Sequence, residues 1–269
     1  MARRRWRLLI GPDVPGPEQM AIDMAVQEAR IQDVVPATLR LYRFSPACVT
    51  LGRFQSEATV DTLLLDERGI GLARRPTGGR GVLHDDEVTY SVVASVEDGL
   101  PRGVAASYTM LGNALAATYR LLGVDARLVS RDRPHASGGA CYLQSTRADL
   151  LCGEAKLSGS AQVWRKDVCL QHGSIVRTRD VRLESAVFRL SEAESARLAS
   201  EAVTLRDVLG QPPSRGEIEE ALVSAFEAVL GVEFEQGTLV GFERARSEEL
   251  APGLDLLAAA GERAASCDS

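Results

Sequence analysis

The chain has 269 residues, 45% of them hydrophobic and 25% charged, which describes an ordinary globular protein with enough length to bury a substantial core. Its net charge of −6 argues against a nucleic-acid partner, and no apolar run approaches the roughly 18 residues that a membrane-spanning helix needs. Five cysteines, at positions 48, 141, 152, 169 and 267, form an odd set without C-x-x-C spacing, so neither a disulfide framework nor a metal site is expected, and a reducing cytoplasm fits.

The basic start stops being apolar at Ile10, before Gly11-Pro12, and reads as a first strand over 6–10 rather than a signal peptide. A second strand at 38–44 follows a helix at 18–31, whose apolar Met20, Ile22, Met24 and Val26 are set among long polar side chains and whose entry is marked by Pro15 and Pro17. Residues 47–51 give a short strand closed by Gly52, and 60–68 a short helix ended by Gly69. Residues 72–75 run extended into the Pro76 turn. Residues 87–95 alternate as a strand, 105–122 make a long helix stopped by Gly123, and 126–129 make a further strand.

The stretch 130–139 has loop composition in the middle of an ordered chain, and long internal loops are often functional. Apolar runs at 148–152, 156–163 and 168–176 read as an antiparallel meander. From Leu183 the pattern is helical. Ser214 with Glu217 makes a capping box for a helix reaching about Leu230, where Gly231 ends it. The expected organisation is one domain over 1–269, with a core at about 1–180 and a helical extension at about 181–269.

Four segments carry chemistry. Arg74-Arg75-Pro76-Thr77-Gly78-Gly79-Arg80 leads from a strand into a glycine turn, and His84 follows on the next strand; the glycines let a ligand approach the backbone, although a plain hairpin would need them too. It is neither a Walker loop nor a GxGxxG fingerprint. Lys156 precedes Gly159-Ser160-Ala161, small residues that leave room beside it; of the 31 basic residues only Lys156 and Lys166 are lysines, so an amine is a rare choice here. His172-Gly173 lies in the meander, where a histidine could be an acid-base group but is more often a hydrogen-bonded structural residue. Cys141 follows Gly138-Gly139-Ala140 and has Arg131, Arg133 and Arg147 near it in sequence, a setting that favours a thiolate; Cys48, Cys152 and Cys169 sit in apolar runs as small hydrophobes.

In joint order these segments resemble the lipoate-protein ligase and octanoyltransferase superfamily, which shares its catalytic fold with biotin protein ligases. The resemblance starts at Glu18-Gln19-Met20-Ala21-Ile22-Asp23 and runs through Leu51-Gly52-Arg53-Phe54-Gln55, residues 74–85, 156–162 and 171–175. Ala140-Cys141-Tyr142 ahead of Asp149-Leu150 is most similar to the cysteine-dependent octanoyltransferases of the LipM type. Two departures are Gln19, where the family has Asn, and Gly78-Gly79-Arg80, where ligases carry three glycines.

The resemblance implies an α+β fold, with mixed, largely antiparallel sheets flanked by helices as in class II aminoacyl-tRNA synthetases and biotin protein ligases. It implies Cys141 as nucleophile and Lys156 as its catalytic partner, with Arg74, Arg75, Thr77, Gly78, Gly79, Arg80, His84, Gly159, Ser160, Ala161, His172 and Gly173 as substrate-binding residues. It implies octanoyl-acyl carrier protein as donor and a lipoyl-domain protein, glycine cleavage H protein or dehydrogenase E2, as acceptor. No cofactor is needed, and a monomer is expected. Lys156 would polarise the thioester carbonyl and hold the oxyanion, and would share in proton transfer only if burial lowered its pKa, and a basic patch of Arg74, Arg75, Arg80, Arg131, Arg133, Arg165 and Lys166 would dock the partners. Three alternatives stay open: a lipoate-protein ligase using ATP and Mg, an amidotransferase between two lipoyl domains, and a binding protein without catalysis.

Overall fold

A computed structural model describes residues 3–128, 140–143 and 149–259. The strands and helices run β1 (Arg4–Ile10), α1 (Gly16–Ile31), β2 (Thr38–Tyr42), β3 (Cys48–Leu51), α2 (Thr62–Glu67), β4 (Gly71–Arg74), β5 (Val82–His84), β6 (Glu87–Ser95), α3 (Val104–Leu121), β7 (Ala126–Leu128), β8 (Leu150–Cys152), β9 (Ala155–Ser158), β10 (Ser160–Arg165) and β11 (Val168–Val176). Then come α4 (Val181–Val187), α5 (Glu192–Glu201), α6 (Leu205–Leu209), α7 (Arg215–Leu230), β12 (Val232–Gln236) and α8 (Gly241–Leu250). Among the described residues no helix is long and apolar enough to cross a membrane.

The main sheet has six strands in the order β10-β11-β6-β2-β1-β12, parallel at β2-β1-β12 and antiparallel elsewhere. Because side chains alternate across a strand, its two faces differ in chemistry. Leu39, Leu41, Val88, Tyr90 and Val92 join Leu111 and Leu115 of α3 and Leu222 and Phe226 of α7 in one apolar core. Arg40, Tyr42, Ser91 and His172 point the other way and converge on Asp23 of α1. Asp23 therefore ties the first helix to three strands at once.

Two three-stranded sheets complete the molecule, β4-β3-β5 and β7-β8-β9. Here the structure departs from the meander read from sequence: the apolar run 156–163 is two strands, not one. The chain leaves the small sheet after Ser158 and enters the main sheet at Ser160, turning at Gly159. A β-carbon at Gly159 would stand 3.0 Å from Asp149 Oδ1 and 3.3 Å from Lys156 Cε, so only glycine leaves that contact undisturbed.

The second departure is at the C-terminal end, where the helical reading misses β12, a five-residue parallel edge strand beside β1. Its alternation, with Val232 buried and Glu233 exposed, is short and heavily charged, which hides it among helices. α8 then packs on α1, and its buried Glu243 holds Arg7 of β1 through contacts of 2.5 and 2.9 Å, the two side chains only 0% and 8% exposed. Removing one partner of a buried pair strands the other charge. Glu243→Ala is therefore expected to cost about 3–5 kcal/mol, and Arg7→Met with Glu243→Leu considerably less, measured by denaturant unfolding.

Candidate active site

The site forms where the two small sheets meet the polar face of the main sheet. Ala140 bridges Gly81, the Cys141 amide donates to the Gly81 carbonyl at 2.8 Å, and a single 3-10 turn, Cys141–Leu143, follows. Cys141 is half-buried and lines the cavity. Lys156 reaches it from β9: its ammonium lies 3.8 Å from Cys141 Sγ and donates to the Cys141 carbonyl at 3.0 Å. Asp149, just before β8, completes the group at 3.0 Å from Lys156 Nζ, and both side chains are almost fully buried.

Burial alone would push the Lys156 pKa down, the condition on which a share in proton transfer depends. The negative charge of Cys141 and Asp149 outweighs it, and the pKa is raised. Lys156 thus stays an ammonium, suited to holding an anion and not to taking a proton. Sequence reasoning missed Asp149 as a site residue. The signal available was an acid one residue ahead of a strand whose hairpin partner carries the lysine, a pairing that needs the hairpin register of β8 and β9.

The cavity wall opposite is built by the glycine turn. Arg75 is buried, and its guanidinium donates to the carbonyls of Thr50 (2.9 Å), Gly78 (2.8 Å) and Arg80 (2.7 Å), which folds the turn around it and leaves its charge close to Cys141. Gly79 takes φ +90°, and both it and Arg80 line the cavity. Gly52 packs so close to Gly79 that a β-carbon on it would lie 2.0 Å from the Gly79 carbonyl, fixing the turn from outside. Gly159, Ser160, Ala161 and Gly173 line the far side, with Ser160 bonded to Tyr90 at 2.8 Å. Met20, Tyr42, Phe44 and Val82 supply an apolar end that the sequence did not assign to the site.

Both histidines of the site are engaged. His84 sits between Thr50 (2.8 Å) and Glu87 (2.5 Å) and stacks on Phe44 with centroids 4.1 Å apart. His172 bonds Thr77 at 2.7 Å and Asp23 at 3.2 Å. Burial lowers the His172 pKa in spite of Asp23, so the ring is neutral, with Nδ1–H donating to Asp23 and Nε2 accepting from the Thr77 hydroxyl. Thr77 is wholly buried and acts on the site through this bond, and Gly78 contributes its carbonyl to Arg75.

Among the described residues, the members of the docking patch read from sequence do not come together. Arg75 is inside the cavity wall, and Arg74 turns away to bond the Gly52 and Gln55 carbonyls and face Glu57. Arg165 pairs with Glu28 at the opposite end of β10 from Ser160, about 17 Å along a strand of this length, and Lys166 lies beyond it. Of the described group, only Arg75 and Arg80 line the cavity. Arg131, Arg133, Arg147, His135 and the rest of the 130–139 loop lie outside the described residues, as does Cys267.

A buried ammonium beside a thiol, facing a cavity with one apolar end, is the equipment of an acyl-transferring enzyme. Residues 15–227 match the lipoyl protein ligase A/B catalytic domain. Octanoyltransferase LipM of Moorella thermoacetica is 42% identical over 261 residues, covering 93% of this chain and 95% of that protein, and Octanoyltransferase LipM of Kyrpidia tusciae is 40% identical, covering 91% and 94%. Among solved structures, lipoate-protein ligase A bound with ATP superposes with a TM-score of 0.76 at 27% identity, covering 93% of this chain and 95% of that one. A bi-partite lipoate protein ligase from Thermoplasma acidophilum, studied with its E2 lipoyl domain, gives 0.75 at 25% identity, covering 94% and 93%. The chain belongs to the lipoyl protein ligase A/B catalytic domain family. It is an enzyme of the octanoyltransferase branch, working in lipoyl assembly.

Two outcomes follow from the geometry. His172, with a folded pKa below the ordinary 6.5, contributes stability that is present above about pH 6.5 and is lost as pH falls, because the unfolded chain then binds the extra proton. The difference in melting temperature between the wild type and His172→Gln should accordingly narrow between pH 7.5 and pH 5. Removing the ammonium with Lys156→Met should slow acyl transfer about 10²- to 10³-fold, read by steady-state assay, with the fold kept by circular dichroism.

Proposed function

We propose that this enzyme moves an octanoyl group from acyl carrier protein to the lysine of a lipoyl domain, such as glycine cleavage H protein or a dehydrogenase E2, through a thioester on Cys141. The observation that carries this reading is the 3.8 Å approach of Cys141 Sγ to the protonated amine of Lys156. A cation so placed can hold the carbonyl oxygen of a thioester at this sulfur as that oxygen gains charge.

In the first half, the Cys141 sulfur attacks the donor thioester carbonyl, the bond to the carrier's sulfur breaks, and the carrier leaves as a thiol with the proton Cys141 gives up. One thioester replaces another, so the step is close to balanced and no ATP is required. In the second half, the acceptor's neutral ε-amine attacks the acyl-enzyme. A C–N bond forms, the C–S bond breaks, and the proton lost by the amine nitrogen restores the Cys141 thiol. Lys156 holds the carbonyl oxygen as it gains charge, with backbone N–H groups near Gly79 and Ser160 as added donors. Asp149 keeps Lys156 charged and aimed. The octanoyl tail lies toward Met20, Tyr42 and Phe44, each buried methylene contributing about 0.8 kcal/mol.

A second reading is favoured by one observation, the likeness to a ligase that binds ATP. In it Lys156 would contact an acyl-phosphate and Cys141 would take no part. One experiment separates the two: incubation with octanoyl-acyl carrier protein and no acceptor, followed by peptide mass spectrometry. A single octanoyl adduct on Cys141, absent from Cys141→Ala and indifferent to ATP, is expected. Activity that needs ATP and survives Cys141→Ala would select the ligase.

A further inference from the structure

Behind the turn that carries Cys141 lies a second, smaller cavity, bounded by Asp85 and Glu87 on one side and by Arg179 and Glu184 on the other. Arg179 and Glu184 form an ion pair at 3.3 Å with side chains only 6% and 4% exposed. The pair is poorly satisfied: among the described residues, both terminal nitrogens of Arg179 and Oε1 of Glu184 have no hydrogen-bond partner. Burial pushes the Glu184 pKa up, the expected response of a carboxyl taken out of water. A buried pair of this kind is no asset to stability, and apolar residues of the same size commonly do as well or better. Its place in the molecule suggests another use.

The Arg179 guanidinium carbon lies 3.8 Å from the centroid of the Tyr142 ring, and Lys156 Nζ lies 5.5 Å from the same centroid. Tyr142 lines both cavities, so its ring is the wall between them. The remaining described polar anchors of the turn act on Cys141 itself, through its amide to Gly81 and its carbonyl to Lys156. Anchors at one residue fix a point, and a side chain clamped one residue further on fixes a direction.

We infer that Arg179, held by Glu184, is a positioning residue for the nucleophile: it clamps the Tyr142 ring and, through it, the turn that sets Cys141 Sγ over Lys156. An aromatic ring accepts a cation against its face, and a desolvated guanidinium without other strong partners is the form in which that attraction is largest. The inference rests on Cys141 being the residue that carries the acyl group.

The test compares Arg179→Met, Arg179→Lys and the double Arg179→Met, Glu184→Met with the wild type. Three readouts are taken: single-turnover octanoylation of Cys141 from saturating octanoyl-acyl carrier protein, alkylation of Cys141 by iodoacetamide, and melting temperature. In Arg179→Met, octanoylation is expected to fall about 10- to 100-fold, as misplacement by around 1 Å does, with the donor KM unchanged. The double variant should melt at or above the wild-type temperature and be equally slow, while Arg179→Lys, which keeps a cation at the ring, recovers part of the rate. Wild-type rates in Arg179→Met, or losses that follow a drop in melting temperature, would overturn the clamp. If the wild type takes no octanoyl on Cys141, the acyl-carrier reading fails. The clamp is then judged on alkylation, where an unchanged rate in Arg179→Met sinks it.

Discussion

A single buried ammonium organises this site. Removing Lys156 from water costs several kcal/mol unless opposite charge comes with it, and Asp149, ahead of β8, brings that charge to 3.0 Å, while Cys141 on its 3-10 turn places its sulfur 3.8 Å from the same nitrogen. The ion pair that makes the residue tolerable in the interior therefore also holds its ammonium beside Cys141. Gly159 allows this by putting no side chain where Asp149 and Lys156 meet, and by letting the chain cross from one sheet to another there.

The main sheet supplies the rigid frame. Its apolar face is sealed by α3 and α7, so its other face can carry polar groups at no loss of core. There Asp23 collects Arg40, Tyr42, Ser91 and His172, and His172 passes the constraint to Thr77 in the glycine turn. Arg75 folds that turn inward by spending its hydrogen bonds on main-chain carbonyls. Lys156 from the small sheet and Arg75 from the turn line the same cavity as the thiol, an arrangement suited to holding an anion as it forms.

The C-terminal segment belongs to this frame and is not an appendage to it. β12 extends the main sheet, α8 is locked to β1 through Glu243, and Phe188, just after α4, packs under Gly81, the residue whose carbonyl anchors Cys141. Ala140 and Tyr142 share an apolar cluster with Phe188, Leu198 and Ala202, so the turn that carries Cys141 is backed by residues some fifty positions away in the chain.

The amino-acid sequence by itself determined much of this: the first helix and its proline entry, the long strand 87–95, the capped helix from Ser214, and the motif order that marks the family. It also singled out Cys141 and Lys156, because a loop thiol among arginines and a rare lysine beside small residues are local, chemical signals. Only the tertiary structure decided that Asp149 stands against Lys156, that the lysine is held protonated instead of being neutralised by burial, and that Arg75 lies inside the wall while Arg165 and Lys166 lie far from it. Those facts depend on hairpin register, on the sheet change at Gly159 and on which charges share a buried space, and such properties belong to pairs of distant residues, which no single stretch of sequence carries.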